Sequence, residues 1–317
     1  MFFINFMGNF QSNNINIDNL SIKKQLKINV YNIILIKDER LAISSYNQGM
    51  VICKQYFNKE EDCDIIIPET KNSSNLFLLS DGKLIAYLNE FFLIEILSNN
   101  CYKIIYKKSF NSEIKRIIEL SNKKIVMLFN DYISISTLDK KNNFQIELII
   151  NTMQELIDNY YFCSVTEANE ENFLIHGYYN KIVFYSLIFF QQKKYKELPN
   201  NYILNGLFFV INKNILVYYI LNYKKEKEII FMDIKTCEIK EKIIFNSQIL
   251  SAYLLLNESS FLLSYIKNNN SYFRIYSNNK FHKEKNLKIK EIFKCILYSK
   301  KAKRIISLSD NFLFYLE

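Results

Sequence analysis

Catalysis needs a general base, a nucleophile or a metal cluster held in one place, and this sequence offers few residues of the right type. It has two histidines. His176 follows Asn172-Phe173-Leu174-Ile175, where a satisfied core or edge histidine is the ordinary structural role. His282 sits in a basic, solvated stretch, Lys280-Phe281-His282-Lys283-Glu284-Lys285. The six cysteines, at 53, 63, 101, 163, 237 and 295, show no C-x-x-C spacing. No zinc pattern includes either histidine. The acidic run Glu60-Glu61-Asp62-Cys63-Asp64 has carboxylates that suit Ca²⁺. It lacks the spaced ligands and the turn glycine of an EF-hand loop, so it reads as a solvated loop between two strands. No G-x-S-x-G or G-x-G-x-x-G occurs. Five glycines cannot furnish both turns and a phosphate-cradling loop. The expectation is a protein that is not an enzyme, with no cofactor, no metal and no small-molecule substrate.

Charge is the one asymmetric chemical feature. Residues 1–160 carry 18 basic and 18 acidic side chains, while residues 161–317 carry 23 and 14. The net +9 of the chain therefore lies wholly in its second half. The densest run is Lys280, Lys283, Lys285, Lys288, Lys290 and Lys294, followed by Lys300, Lys301, Lys303 and Arg304. Such a sector attracts anionic partners: an acidic protein, RNA or an anionic membrane surface. Lysine runs are also common on plain solvated faces, and edge lysines block unwanted strand pairing.

The elements that must carry these residues follow from length and pattern. A chain of 317 residues with 49% hydrophobic residues can build a substantial core. The skew toward Lys, Asn, Ile, Tyr and Phe, with no Trp and four Arg, reads as A/T-rich coding. No apolar run reaches the ~18–20 residues of a membrane helix. The opening Met1-Phe2-Phe3-Ile4-Asn5-Phe6 lacks the basic leader of a secretory signal. An intracellular protein, cytoplasmic or nuclear, with reduced thiols is expected. Cys53, Cys163 and Cys295 lie inside apolar runs, as small core residues do.

One phrase recurs along the chain. Lys37-Asp38-Glu39-Arg40, Ser80-Asp81-Gly82-Lys83 and Ser121-Asn122-Lys123-Lys124 each separate two short apolar runs. Aligned on the apolar residue that opens the strand after each break, the anchors are Leu41, Leu84, Ile125, Leu174, Leu216, Leu262 and Ile305. Their separations are 43, 41, 49, 42, 46 and 43 residues. A period of ~40–45 residues is that of a propeller blade with four strands. Past each anchor comes an Asn or Asp, at 47, 89, 130, 180, 222, 268 and 310. These residues suit hairpin turns because they tolerate left-handed backbone. The runs are rich in Ile, Val, Phe and Tyr and some alternate with period two, as in 132–136. The stretch 151–161 is the best helical pattern and reads as an insertion in the longest interval.

A stack of such sheets leaves raw edges unless its ends meet. The last repeat supplies strands near 292–298, 304–308 and 311–316 and then lacks a fourth. The segment Lys23–Val30 has strand character and no neighbour in sequence. It is expected to complete the last blade and close the ring. Residues 1–22 are then an N-terminal tail and 23–317 a single domain.

Turn, strand, Asn/Asp turn and strand at this spacing resemble a divergent WD-repeat propeller over nearly the whole chain. Where that family has Trp-Asp, this sequence reads Tyr185-Ser186, Met232-Asp233, Tyr276-Ser277 and Tyr315-Leu316, with Cys53 and Ser136 at other repeats. Only Asp233 keeps the acid, and the family's Gly-His pair is absent. The resemblance implies an all-β, seven-bladed propeller of four-stranded antiparallel blades acting as a protein-interaction scaffold. The alternative it leaves open is docking of RNA, a ribonucleoprotein or an anionic membrane through blades six and seven, at Lys280, Lys283, Lys285, Lys288, Lys290, Lys300, Lys301, Lys303 and Arg304. Phosphoinositide-binding propellers have a similar fold and carry paired arginines, and this sequence has none.

Overall fold

The computed structural model describes residues 4–5, 22–27, 30–45, 48–54, 63–97, 100–130, 132–139, 144–151, 162–169, 172–177, 181–186, 191–197, 202–212, 214–222, 224–254, 260–277, 280–281, 285–286, 291, 293, 295–299, 304–309 and 312–316. These residues form strands, turns and one short 3₁₀ turn, Pro68–Thr70. The strands run in chain order from β1 (Ile4–Asn5) and β2 (Ile22–Lys27) into the first repeat: β3 (Val30–Leu35), β4 (Leu41–Ser45), β5 (Gly49–Cys53) and β6 (Ile65–Ile67). The second repeat is β7 (Asn75–Leu78), β8 (Leu84–Tyr87), β9 (Glu90–Ile96) and β10 (Tyr102–Ser109). The third is β11 (Arg116–Glu119), β12 (Ile125–Leu128), β13 (Tyr132–Leu138) and β14 (Phe144–Asn151). The fourth is β15 (Phe162–Asn169), β16 (Asn172–Gly177), β17 (Lys181–Ser186) and β18 (Gln191–Glu197). The fifth is β19 (Tyr202–Ile211), β20 (Ile215–Leu221), β21 (Lys227–Asp233) and β22 (Ile239–Ile244). The sixth is β23 (Gln248–Leu254), β24 (Phe261–Lys267), β25 (Asn270–Ser277), β26 (Lys280–Phe281) and β27 (Lys285–Asn286). Last come β28 (Cys295–Ser299), β29 (Arg304–Leu308) and β30 (Phe312–Leu316).

Six of the resulting sheets are four-stranded and antiparallel. The sixth repeat departs from the expected pattern. Its β23, β24 and β25 form an antiparallel meander, but its fourth place is taken by two short pieces that both pair with β25. Ile4–Asn5 adds a parallel strand beside β23, so part of the expected tail is a docked strand. The strand expected to complete the last repeat is found with shifted bounds, Ile22–Lys27, while Val30 opens β3 of the first repeat. Strand β2 pairs antiparallel with β30, with Gln25 opposite Phe314 and Leu26 opposite Leu313. The helical pattern at 151–161 lies outside the described residues, apart from Asn151 at the end of β14.

The repeated phrase is one turn written several times. In the first repeat Glu39 N–H donates to Ile36 O, and Ile36 N–H donates to Arg40 O. The same two bonds recur as Gly82 to Leu79 with Leu79 to Lys83, and as Lys123 to Leu120 with Leu120 to Lys124. In each turn the Asx side chain accepts from the residue two places on: Arg40 N to Asp38 Oδ1, Lys83 N to Asp81 Oδ1, and Lys124 N to Asn122 Oδ1. Glu39, Gly82 and Lys123 each adopt positive φ. This is a three-residue hairpin loop whose last residue is left-handed. The Asx oxygen satisfies a donor that the turn would otherwise leave open.

All seven anchors lie in the second strand of their sheets and are buried. The chain divides into two compact units. One comprises 1–110 with 247–317 and the other 111–246. In the first, one core cluster joins β3–β5 to β23–β25 and β28–β30, and another joins the first two repeats. In the second, clusters join the third repeat to the fourth and the fourth to the fifth. Within each unit, these sheets bury faces against their neighbours, as repeat proteins do.

Candidate interaction surface

The structure describes three of the nine basic residues named above. Lys280 is exposed and opens β26, opposite Ser277. Lys285 lies in β27, opposite Phe273. Arg304 opens β29, opposite Ser299, and is half-buried. Its charge works against burial at Tyr315, whose hydroxyl is pushed well above the ordinary tyrosine range. Lys283, Lys288, Lys290, Lys300, Lys301 and Lys303 lie outside the described residues.

The sixth repeat adds cations and rings that charge counting alone did not single out. Arg274 on β25 places its guanidinium 5.0 Å from the ring centre of Phe281. Lys267 sets its ammonium 5.8 Å from the ring centre of Tyr272. Along β25 the side chains alternate, so Tyr272 and Arg274 are half-exposed while Phe273 and Ile275 are buried. Phe281 also meets Tyr276 edge-on at 5.1 Å, and Tyr276 stacks on Phe261 at 4.9 Å. Cations over aromatic faces are attracted by about 0.5–2 kcal/mol. The result is a cluster of cations and rings on one side of this sheet, while Lys280, opposite Ser277, lies on the other side at the sheet's edge.

Among the described residues, the histidine and the acidic-run residues do not come together. His176 pairs in register with Ser164 and Ile182, and His282 lies outside the described residues. From the acidic run the structure describes Cys63 and Asp64, and Asp64 N–H donates to Ile52 O. Among the described residues no group of three or more His, Cys, Asp or Glu is placed to hold a metal. No helix among them is long and apolar enough to cross a membrane.

One expectation is corrected. Cys53 and Cys63 are joined by a disulfide, so the thiols are not all reduced. Sequence spacing could not show this, because ten residues of separation carries no motif. Cys295 is a buried thiol, as expected, and its Sγ lies 3.8 Å from Ile33 O.

The one acid kept at the family's Trp-Asp positions serves its own turn. Asp233, the one retained acid, caps its own turn by accepting from Lys235 N and Thr236 N. Those backbone bonds, Thr236 foremost, hold its carboxyl below the usual range. Neighbouring repeats are tied through the turns. Ser299 Oγ donates to Glu39 Oε2 at 2.7 Å, and Ser121 N–H donates to Glu167 Oε1 at 2.7 Å. The aliphatic stem of Lys37 packs over Gly82.

No protein-family model matches the sequence, and no curated protein matches it. Among solved structures, the β-propeller domain of Cps50 (Swd1) from Myceliophteria thermophila aligns with a TM-score of 0.71 at 9% identity. The alignment covers 94% of this chain and 99% of that one. At this identity the likeness speaks to fold alone: the chain has a β-propeller fold like that of the Swd1 domain, built mostly of four-stranded antiparallel blades.

Proposed function

We propose that this chain is a non-enzymatic, intracellular interaction scaffold: a seven-bladed ring closed by β2 that presents its loops to protein partners. The observation that carries this reading is the likeness to the Swd1 propeller domain over 94% of the chain. Propellers of this kind typically serve as binding platforms, a warrant from fold analogy. Purification of the tagged protein from its native cell, with and without RNase, tests the reading. A stoichiometric protein partner that survives RNase and moderate salt is expected. Recovery of the chain alone, or release of every partner by RNase, contradicts it.

A second reading has its own support in the cations and rings of the sixth repeat. Cations interleaved with half-exposed rings are what single-stranded nucleic acid requires, charge for phosphates and rings for bases. Anisotropy with a fluorescent single-stranded RNA measures it directly. Binding that weakens steeply with salt and is lost in the Arg274→Ala, Lys280→Ala double variant supports this reading. No binding at low salt removes it.

A further inference from the structure

We infer that Cys53 and Cys63 form a thiol-addressable clasp on the outer strand of the first repeat, with Cys63 the sulfur through which reductants enter. The two ends of the β5–β6 pairing are held by different chemistry. At one end the disulfide joins Cys53, the last residue of β5, to Cys63, two residues before β6. Beside it Asp64 N–H donates to Ile52 O at 2.8 Å. At the other end the buried Thr70 hydroxyl accepts from Met50 N–H and donates to Ile67 O. Strand β6 has only three residues, so neither end is backed by a long ladder.

The two sulfurs are not equivalent. Cys53 is fully buried within the core cluster that joins β3–β5 to β28–β30, whereas Cys63 is half-buried at its margin. An external thiolate therefore meets the Cys63 sulfur. Attack there breaks the S–S bond, leaves a mixed disulfide on Cys63 and releases Cys53 as a thiolate that takes up a proton. A second thiol, from a low-molecular-weight thiol or a protein dithiol, then frees Cys63. Two external thiols become one disulfide as the pair gains two electrons and two protons. Access decides the point of attack, because the incoming thiolate must reach the sulfur; burial disfavours the departing Cys53 thiolate and slows the step without redirecting it. Opening the clasp frees the disulfide end of β6 while Thr70 still pins the other.

The test uses the full chain prepared without reductant. Alkylation and peptide mapping of the wild type are expected to recover Cys53 and Cys63 as one linked pair, with exposed Cys101 alkylated as an internal control. Brief treatment with glutathione followed by acid trapping is expected to place the adduct on Cys63. With glutathione disulfide in place of glutathione, the free Cys63 of the Cys53→Ala variant is expected to take the same adduct with release of one glutathione thiol, and Cys63→Ala to take none at Cys53. On full reduction, exchange of the Asp64 amide is expected to rise on the order of tenfold to a hundredfold. The Met50 amide is expected to stay protected. Two alkylatable thiols in the untreated wild type, an adduct on Cys53, or equal loosening of both amides would each overturn the inference.

Discussion

The hydroxyl of Thr70 stands where a ladder bond would otherwise be. Met50 and Ile67 are register partners on β5 and β6. Yet Met50 N–H donates 2.6 Å to Thr70 Oγ1, and that hydroxyl donates 2.7 Å to Ile67 O. The side chain thus bridges β5 and β6 at the end of their pairing. Replacing Thr70 with Val keeps the shape and removes the bridge. Both Thr70 and Met50 are buried, so water cannot take its place without opening the site. Leaving the Met50 N–H unpaired costs about 1–3 kcal/mol, and losing the donor to Ile67 about 0.5–1.5 more. The expected loss is ~1.5–4.5 kcal/mol. Thr70→Ser restores the hydroxyl and drops only a methyl, about 1 kcal/mol. Urea unfolding followed by far-UV circular dichroism measures this, with an unchanged slope showing that compactness is unaltered. The Met50 amide should also lose exchange protection in the Val variant alone. If Thr70→Val melts within ~0.5 kcal/mol of the parent, β5 and β6 have closed into a direct bond and the bridging argument fails.

Other perturbations follow from the same geometry. Gly49 has φ +84°, and a Cβ there would sit 2.5 Å from Ile67 O, so Gly49→Ala should destabilise the chain by about 1–3 kcal/mol in the same urea assay. An unchanged midpoint would contradict the close approach. Leu84→Asp and Ile125→Asp each bury an unpaired carboxylate in the second strand of a sheet and should abolish cooperative melting, a cost of several kcal/mol. Parent-like melting would refute those strand environments. The hydroxyls of Tyr218, Tyr253 and Tyr315 titrate above the ordinary tyrosine range, chiefly because burial disfavours the phenolate. The folded state then holds these protons more tightly than the unfolded chain. Their contribution is whole below about pH 10 and is lost as pH rises beyond it. Tyrosinate absorbance should therefore rise cooperatively with alkaline unfolding, and a smooth titration of a still-folded protein would be the contrary result.

Much of the architecture was legible because its signals are local. The turn phrase needs only an Asx oxygen and a left-handed residue, so Asp38, Asp81 and Asn122 announce it within a few positions. The anchors were legible because the buried second strand of each repeat carries an apolar residue at or within two positions of its start. Strand β2 could be assigned by accounting for an incomplete last sheet. What escaped detection depends on neighbours distant in sequence. Nothing near Arg304 signals that it lies half-buried beside Tyr315. Thr70 and Met50 meet across 20 residues, and Ser299 meets Glu39 across 260. The divided fourth strand of repeat six, and the pairing of Arg274 with Phe281, follow from side-chain packing that residue type does not encode. The candidate surface was accordingly legible as net charge, and its aromatic component was not.

An experimental density map of the full chain bears most directly on the ring. Seven sheets around one axis, with Gln25 hydrogen-bonded in register beside Phe314, is the outcome the closed propeller requires. Six blades would contradict the blade number, and an open stack or a last sheet of three strands with 22–27 elsewhere would show that the chain ends do not join.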